Sequence, residues 1–100
     1  MKPPVQSVRI GGQVVRVAVV SEQSEHGMCH FDAKRITVSE SCAKDPAMFW
    51  STLRHELQHM ALMLGGPAWN MSDGENEAVV RCMDELFFPA WDAVSRKRKA

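Results

Sequence analysis

The stretch Asp45-Pro46-Ala47-Met48-Phe49-Trp50-Ser51-Thr52-Leu53-Arg54-His55-Glu56-Leu57-Gln58-His59-Met60-Ala61-Leu62-Met63-Leu64-Gly65-Gly66-Pro67 reads as one helix. Asp45 can cap its start, and Pro46 fits the first turn, where no backbone N–H is needed. Gly65-Gly66-Pro67 predicts a stop near Leu64. Phe49, Leu53, Leu57, Met60 (or Ala61) and Leu64 follow three- and four-residue steps and form a stripe that packs on a sheet. His55, Glu56 and His59 fall off that stripe. They spell H-E-x-x-H. Residues four apart share a helix face, so the two imidazoles can converge on one metal ion. Glu56 then stands beside the metal, where a water bound to it would sit.

Upstream of this helix the chain reads as strands. Val5 to Ile10 and Val14 to Val20 are rich in valine and isoleucine, with Gly11-Gly12 suited to a tight hairpin between them. His26 to Phe31 and Arg35 to Val38 follow, joined by Asp32-Ala33-Lys34. Downstream, Ala68 to Gly74 reads as a loop. A second helix is expected from Ser72 or Asp73 to about Arg96, with Pro89 able to kink or split it. Ala78, Val79, Cys82, Met83 and Leu86 are its expected buried stripe. Trp50, Trp69 and Trp91 read as packing residues, with Trp69 also placed to line a cleft. The fold class is therefore α+β: a three- to four-stranded sheet packed against the H-E-x-x-H helix and a second helix.

The composition sets bounds. One hundred residues, 45% of them hydrophobic, fit one small domain with one core. We place that domain at residues 1–92, with 93–100 as a solvated basic tail containing Arg96-Lys97-Arg98-Lys99. The formal net charge is zero, which gives no sign of a nucleic-acid binder. No apolar run is long enough to span a membrane, and the N-terminus does not read as a secretory signal. Cys29, Cys42 and Cys82 form no spaced pair, which favours reduced thiols and a cytoplasmic location.

Two histidines do not complete a catalytic zinc site, which usually has three protein ligands and one open position. The extended histidine motif needs a third histidine six residues after His59, and that position is Gly65. The third ligand must come from elsewhere, a carboxylate or a histidine: His26 and His30 could join such a site, and the second helix offers Glu75 and Glu77. Glu75 aligns with the expected apolar stripe through Ala78, Val79 and Cys82.

Asn76-Glu77-Ala78 resembles the N-E-A motif of the gluzincin metallopeptidases. The chain order is similar to the minigluzincins and to short phage-type relatives of the ImmA/IrrE metallopeptidases. The resemblance covers roughly residues 5 to 90. It implies one zinc ion per chain held by His55, His59 and Glu77, with Glu56 as general base. It implies metal-assisted hydrolysis of a peptide or protein substrate, with a strand around Ile36-Thr37-Val38 pairing with the peptide as an edge strand does. The chain departs from the pattern at Arg81, where gluzincins commonly have an aspartate that orients the first histidine. It also has no tyrosine, leaving Arg81, His30 and Arg35 as candidate oxyanion stabilisers. A zinc-bound interaction module without turnover is the alternative reading.

Overall fold

The computed structural model describes residues 1–21 and 23–99, and it has the expected α+β architecture. Strands β1 (Ser7–Ile10), β2 (Gln13–Val20), β3 (Gly27–His30) and β4 (Arg35–Ser39) form one mixed sheet in the order β1-β2-β4-β3. Gly11 and Gly12 both have positive φ, at 54° and 82°. A two-residue hairpin loop of the primed type demands this at both positions, and glycine accepts it without strain. β2 and β4 run parallel, while β1–β2 and β3–β4 are antiparallel.

The topology corrects one expectation. The strand holding Ile36, Thr37 and Val38 is interior, paired on both sides, so no backbone edge remains there for a peptide. The edge strand beside the H-E-x-x-H helix is β3.

Helix α1 (Glu40–Ala43) is one short turn capped by Ser39. It leads into α2 (Pro46–Gly65), the helix expected from the sequence. The Asp45 carboxylate accepts from the backbone N–H of Met48, and Gly66 ends the helix in the left-handed region with φ 99°. Val15, Val17, Ile36 and Val38 from one sheet face meet Phe49, Leu53 and Met60 of α2, with Cys42 beneath. Burying such side chains contributes about 1.5–3 kcal/mol each, so this layer holds α2 to the sheet.

A short 3₁₀ turn (Pro67–Asn70) occupies part of the expected loop, and α3 (Asp73–Cys82) follows. A π-helical turn (Met83–Phe87) joins α3 to α4 (Phe88–Lys99) without a break. The backbone N–H of Phe88 reaches back five residues to the carbonyl of Met83. Pro89 has no N–H to give the preceding turn and is accommodated without splitting the helix. The boundary placed after residue 92 therefore falls inside α4, and helix continues to Lys99.

The buried face of α3 is not the expected one. Val80 is fully buried and Asn76 and Glu77 are half-buried, whereas Ala78, Val79 and Cys82 are exposed and Leu86 is 69% exposed. Glu77 belongs to the inward face with Val80, and Glu75 faces solvent. The side packed on α2 is partly polar because it carries the contacts to His55 and His59. Apolar periodicity therefore picked out the wrong stripe.

Candidate metal centre

α2 presents His55 and His59 one turn apart, and α3 brings Glu77 across them. His55 Nε2 lies 3.2 Å from Glu77 Oε1, His59 Nε2 lies 3.0 Å from Glu77 Oε2, and the two Nε2 atoms are 3.2 Å apart. Among the described residues this is a group whose ligand atoms all fall within 4.8 Å of one another. Glu75 is instead committed elsewhere. Its side chain accepts from the backbone N–H of Ser72, and Ser72 accepts from the N–H of Glu75, closing a capping box. Those bonds hold the Glu75 carboxyl below its ordinary range.

The outer nitrogens of both rings are occupied. His55 Nδ1–H donates to Asp84 Oδ2 at 2.7 Å, and His59 Nδ1–H donates to Asn76 Oδ1 at 2.6 Å. With the proton on Nδ1, each neutral ring offers only a lone pair at Nε2. The two Nε2 atoms and the Glu77 carboxylate then face one another across 3.0–3.2 Å. A shared cation relieves that arrangement, and the His₂Glu donor set is one that zinc takes in catalytic sites. The residues present thus fit the ion that the sequence implies.

Asp84 was not found by sequence reasoning, which looked for an acid four residues beyond Glu77 and met Arg81. Asp84 lies seven residues beyond, two helical turns on, where the same face returns. Its other oxygen accepts from Gln58 Nε2 at 2.7 Å and sits 3.6 Å from Arg54 Nε, while the Arg54 guanidinium stacks 4.5 Å above the Phe88 ring. Asp84 is therefore held by two side chains of α2 on either side of His55. The Asn76 role was equally unread: the residue belongs to the resembling motif, but its contact depends on how α3 crosses α2.

Glu56 is buried, 9% exposed, beneath the two histidines. Burial pushes its carboxyl up, His55 and His59 pull it partly back, and Glu77 and Glu25 add to the rise. The strand side of its pocket is Gly27. A methyl group there would stand 2.5 Å from Thr52 Cγ2 and 3.0 Å from Glu56 Cγ, so only glycine lets β3 approach α2 this closely. Cys29, two residues along the same strand face, has its thiol raised to about 11, first by burial and then by Glu56.

A cleft of about 650 Å³ opens over this group. Gly27, Met28, Cys29 and Phe31 border it on the strand side, and Met63, Asn76 and Arg81 on the helix side. Among the described residues, Arg81 is the one arginine or lysine lining it, and it lies 3.8 Å from Glu77. The other two candidates for an oxyanion contact do not meet the site. His30 Nε2 bonds the Thr37 hydroxyl at 3.0 Å on the opposite face of the sheet, and Arg35 is exposed on that same face. Trp69 is 70% exposed, edge-on to Phe31, with Nε1–H donating to the Met63 carbonyl, and does not itself line the cleft. It is not a core residue. Comparison with protein-family profiles, curated proteins and solved structures gave no match, so no family is assigned.

Proposed function

We propose that this protein is a zinc-dependent peptidase, with His55, His59 and Glu77 as ligands and Glu56 as general base. The single observation that carries the reading is the convergence of His55 Nε2, His59 Nε2 and the Glu77 carboxylate beside the buried Glu56. Zinc, when bound, supplies a Lewis acid that lowers the pKa of a water it holds and polarises a carbonyl. The chain's own groups do the rest. Glu56, raised by burial, accepts the water's proton and can pass it to the departing amine. Asp84 and Asn76 keep both rings in the tautomer and orientation that ligation requires. Arg81, at the rim, is placed to meet negative charge developing on the substrate. Backbone at Gly27 to Cys29 offers a free strand edge to an extended peptide beside Glu56.

Metal analysis and a cleavage assay test this together. The purified chain should bind about one zinc. Glu56→Gln should keep the zinc and lose hydrolysis of an unfolded protein substrate. A chain that binds no zinc, or one in which Glu56→Gln cleaves as well as the parent, removes the proposal. The second reading, a zinc-bound module without turnover, draws on Arg81 being the sole cationic candidate at the cleft and already beside Glu77. It expects zinc binding with no cleavage in either chain.

A further inference from the structure

The zero net charge is a sum over unlike parts of the chain. Residues 1–21 hold Lys2, Arg9 and Arg16 and no acid, and no residue of the four strands is acidic. Strand alternation then sorts the side chains. Val15, Val17, Ile36 and Val38 face α2, so Arg16 and Arg35 face away from it. The register sets them in line. Ser7 stands opposite Arg16, Arg16 opposite Arg35, and Arg35 opposite His30, one row across the whole sheet. Arg9, two residues along β1 from Ser7, shares the face. One end of this face is closed, where the Thr37 hydroxyl donates to Gln23 Oε1 at 2.8 Å and Thr37 is buried. The end with the row is open, and Ser7, Arg9, Arg16 and Arg35 are all exposed there. Among the described residues none of these three arginines forms an ion pair, not even with Asp32 in the adjoining turn. Arg9 donates to the Gly12 carbonyl at 3.3 Å. Like charges directly opposite on neighbouring strands repel, and Arg16 and Arg35 stand in that relation.

We propose that this open sheet face docks on the phosphate backbone of a nucleic-acid duplex. The charge complementarity is one-sided, since the face offers three arginines and no strand carboxylate. A guanidinium fork meets two phosphate oxygens at once, so arginine suits phosphate better than a point charge does. Neighbouring strands lie about 4.8 Å apart, so the row from Ser7 to His30 spans about 14 Å. A duplex carries one negative charge per roughly 1.7 Å of its axis, which puts several phosphates within that span. Single strands are held by stacking bases on aromatic side chains, and the strand residues of this face include no Phe or Trp. An acidic peptide would want a strand edge or a groove. Arg16 and Arg35 instead lie on β2 and β4, the two interior strands, whose backbones are paired on both sides. A polyanion on the row relieves the repulsion between Arg16 and Arg35. None of the three arginines borders the cleft, so the docking stands apart from the metal reading and leaves the cleft open.

Fluorescence anisotropy of a short labelled DNA duplex, titrated with the full chain, decides it. Three phosphate contacts give a slope of log K against log[salt] of about −2.7, so binding should weaken roughly 40-fold between about 50 and 200 mM salt. Arg16→Glu and Arg35→Glu should each weaken binding by about tenfold or more at the lower salt and flatten the slope by about 1. Each places a carboxylate opposite the remaining arginine, so Tm should match or exceed that of the parent, which separates a lost contact from lost folding. Arg9→Gln, which leaves the row untouched, should flatten the slope by a similar amount. Changing Arg96, Lys97, Arg98 and Lys99 to serine should leave most of the binding in place. A parent that binds no duplex at about 50 mM salt overturns the proposal. So does binding that Arg16→Glu and Arg35→Glu leave unchanged, or that disappears with the tail substitutions alone. Displacement of the duplex by poly-glutamate as readily as by unlabelled duplex also overturns it, since the face would then take any acid.

Discussion

Asp84 holds the first histidine through a single short hydrogen bond, and everything about that bond is local chemistry. Removing the carboxylate frees His55 to rotate and to move its proton to Nε2, where ligation needs a lone pair. Asp84→Ala should therefore weaken zinc binding by about 10–100-fold, measured by competition with a chromophoric chelator, with the fold intact. Gly27 is constrained more severely. Gly27→Ala drives a methyl group into Thr52 and Glu56, and should cost about 1–3 kcal/mol, read as a lower denaturant midpoint. Cys29 gives a chemical reading of the same wall. Its thiol, raised from 9.0 to about 11, holds about a hundredfold less thiolate at pH 8 than an ordinary one. Iodoacetamide should label the exposed Cys82 well before Cys29, checked by peptide mass mapping. The linkage has a definite sign. The folded chain keeps the Cys29 proton more tightly, so its contribution is complete below pH 9 and is lost as pH rises through about 11. Of these residues, His55, Glu56 and His59 were legible because one helix fixes all three. Asp84 and Gly27 were not, because their roles arise from how another element crosses α2.

The elements show the same division. α2 was legible from end to end, since Asp45, Pro46 and Gly66 act on the helix that contains them. The strands were legible from valine-rich alternation, but their spatial order was not. Ile36 to Val38 looked the most strand-like and proved interior, and the weaker Gly27 to His30 took the edge. α3 misled because its packed face is built for His55 and His59 and not for burial of apolar area. This separates its two glutamates cleanly. Ser72→Ala removes the hydroxyl that caps α3 and should destabilise the chain by about 1 kcal/mol in thermal or denaturant unfolding. Zinc stoichiometry should stay unchanged. Glu75→Ala should act in the same direction and more weakly. Glu77→Ala, by contrast, should leave the cap intact and abolish zinc binding. If Glu75→Ala proved to be the change that releases the metal, the assignment of the third ligand would fall.

At the scale of the whole molecule, α2 is anchored to the sheet by the core, whereas α3 meets α2 with one fully buried apolar residue, Val80, and a set of polar contacts. Most of what joins the two layers near the cleft therefore passes through His55, His59, Glu77, Asp84 and Asn76. Three of these, His55, His59 and Glu77, are the candidate ligands, so a bound cation would tie α3 to α2. A metal that binds the folded chain alone stabilises it by RT ln(1 + [L]/Kd), about 2.7 kcal/mol at a free concentration one hundred times Kd. For a domain of this size each kcal/mol moves Tm by roughly 4–8 °C, so zinc saturation should raise Tm by about 10 °C or more over the chelator-treated chain. The increment should vanish in His59→Ala and Glu77→Ala and persist in Glu56→Gln, because Glu56 lies beneath the ligand set and supplies none of it. Hydrogen exchange should locate the gain in α3 and the π turn, with the amides of β2 and β4 little changed. A uniform gain across the sheet would mean that the ion binds somewhere other than between these two helices.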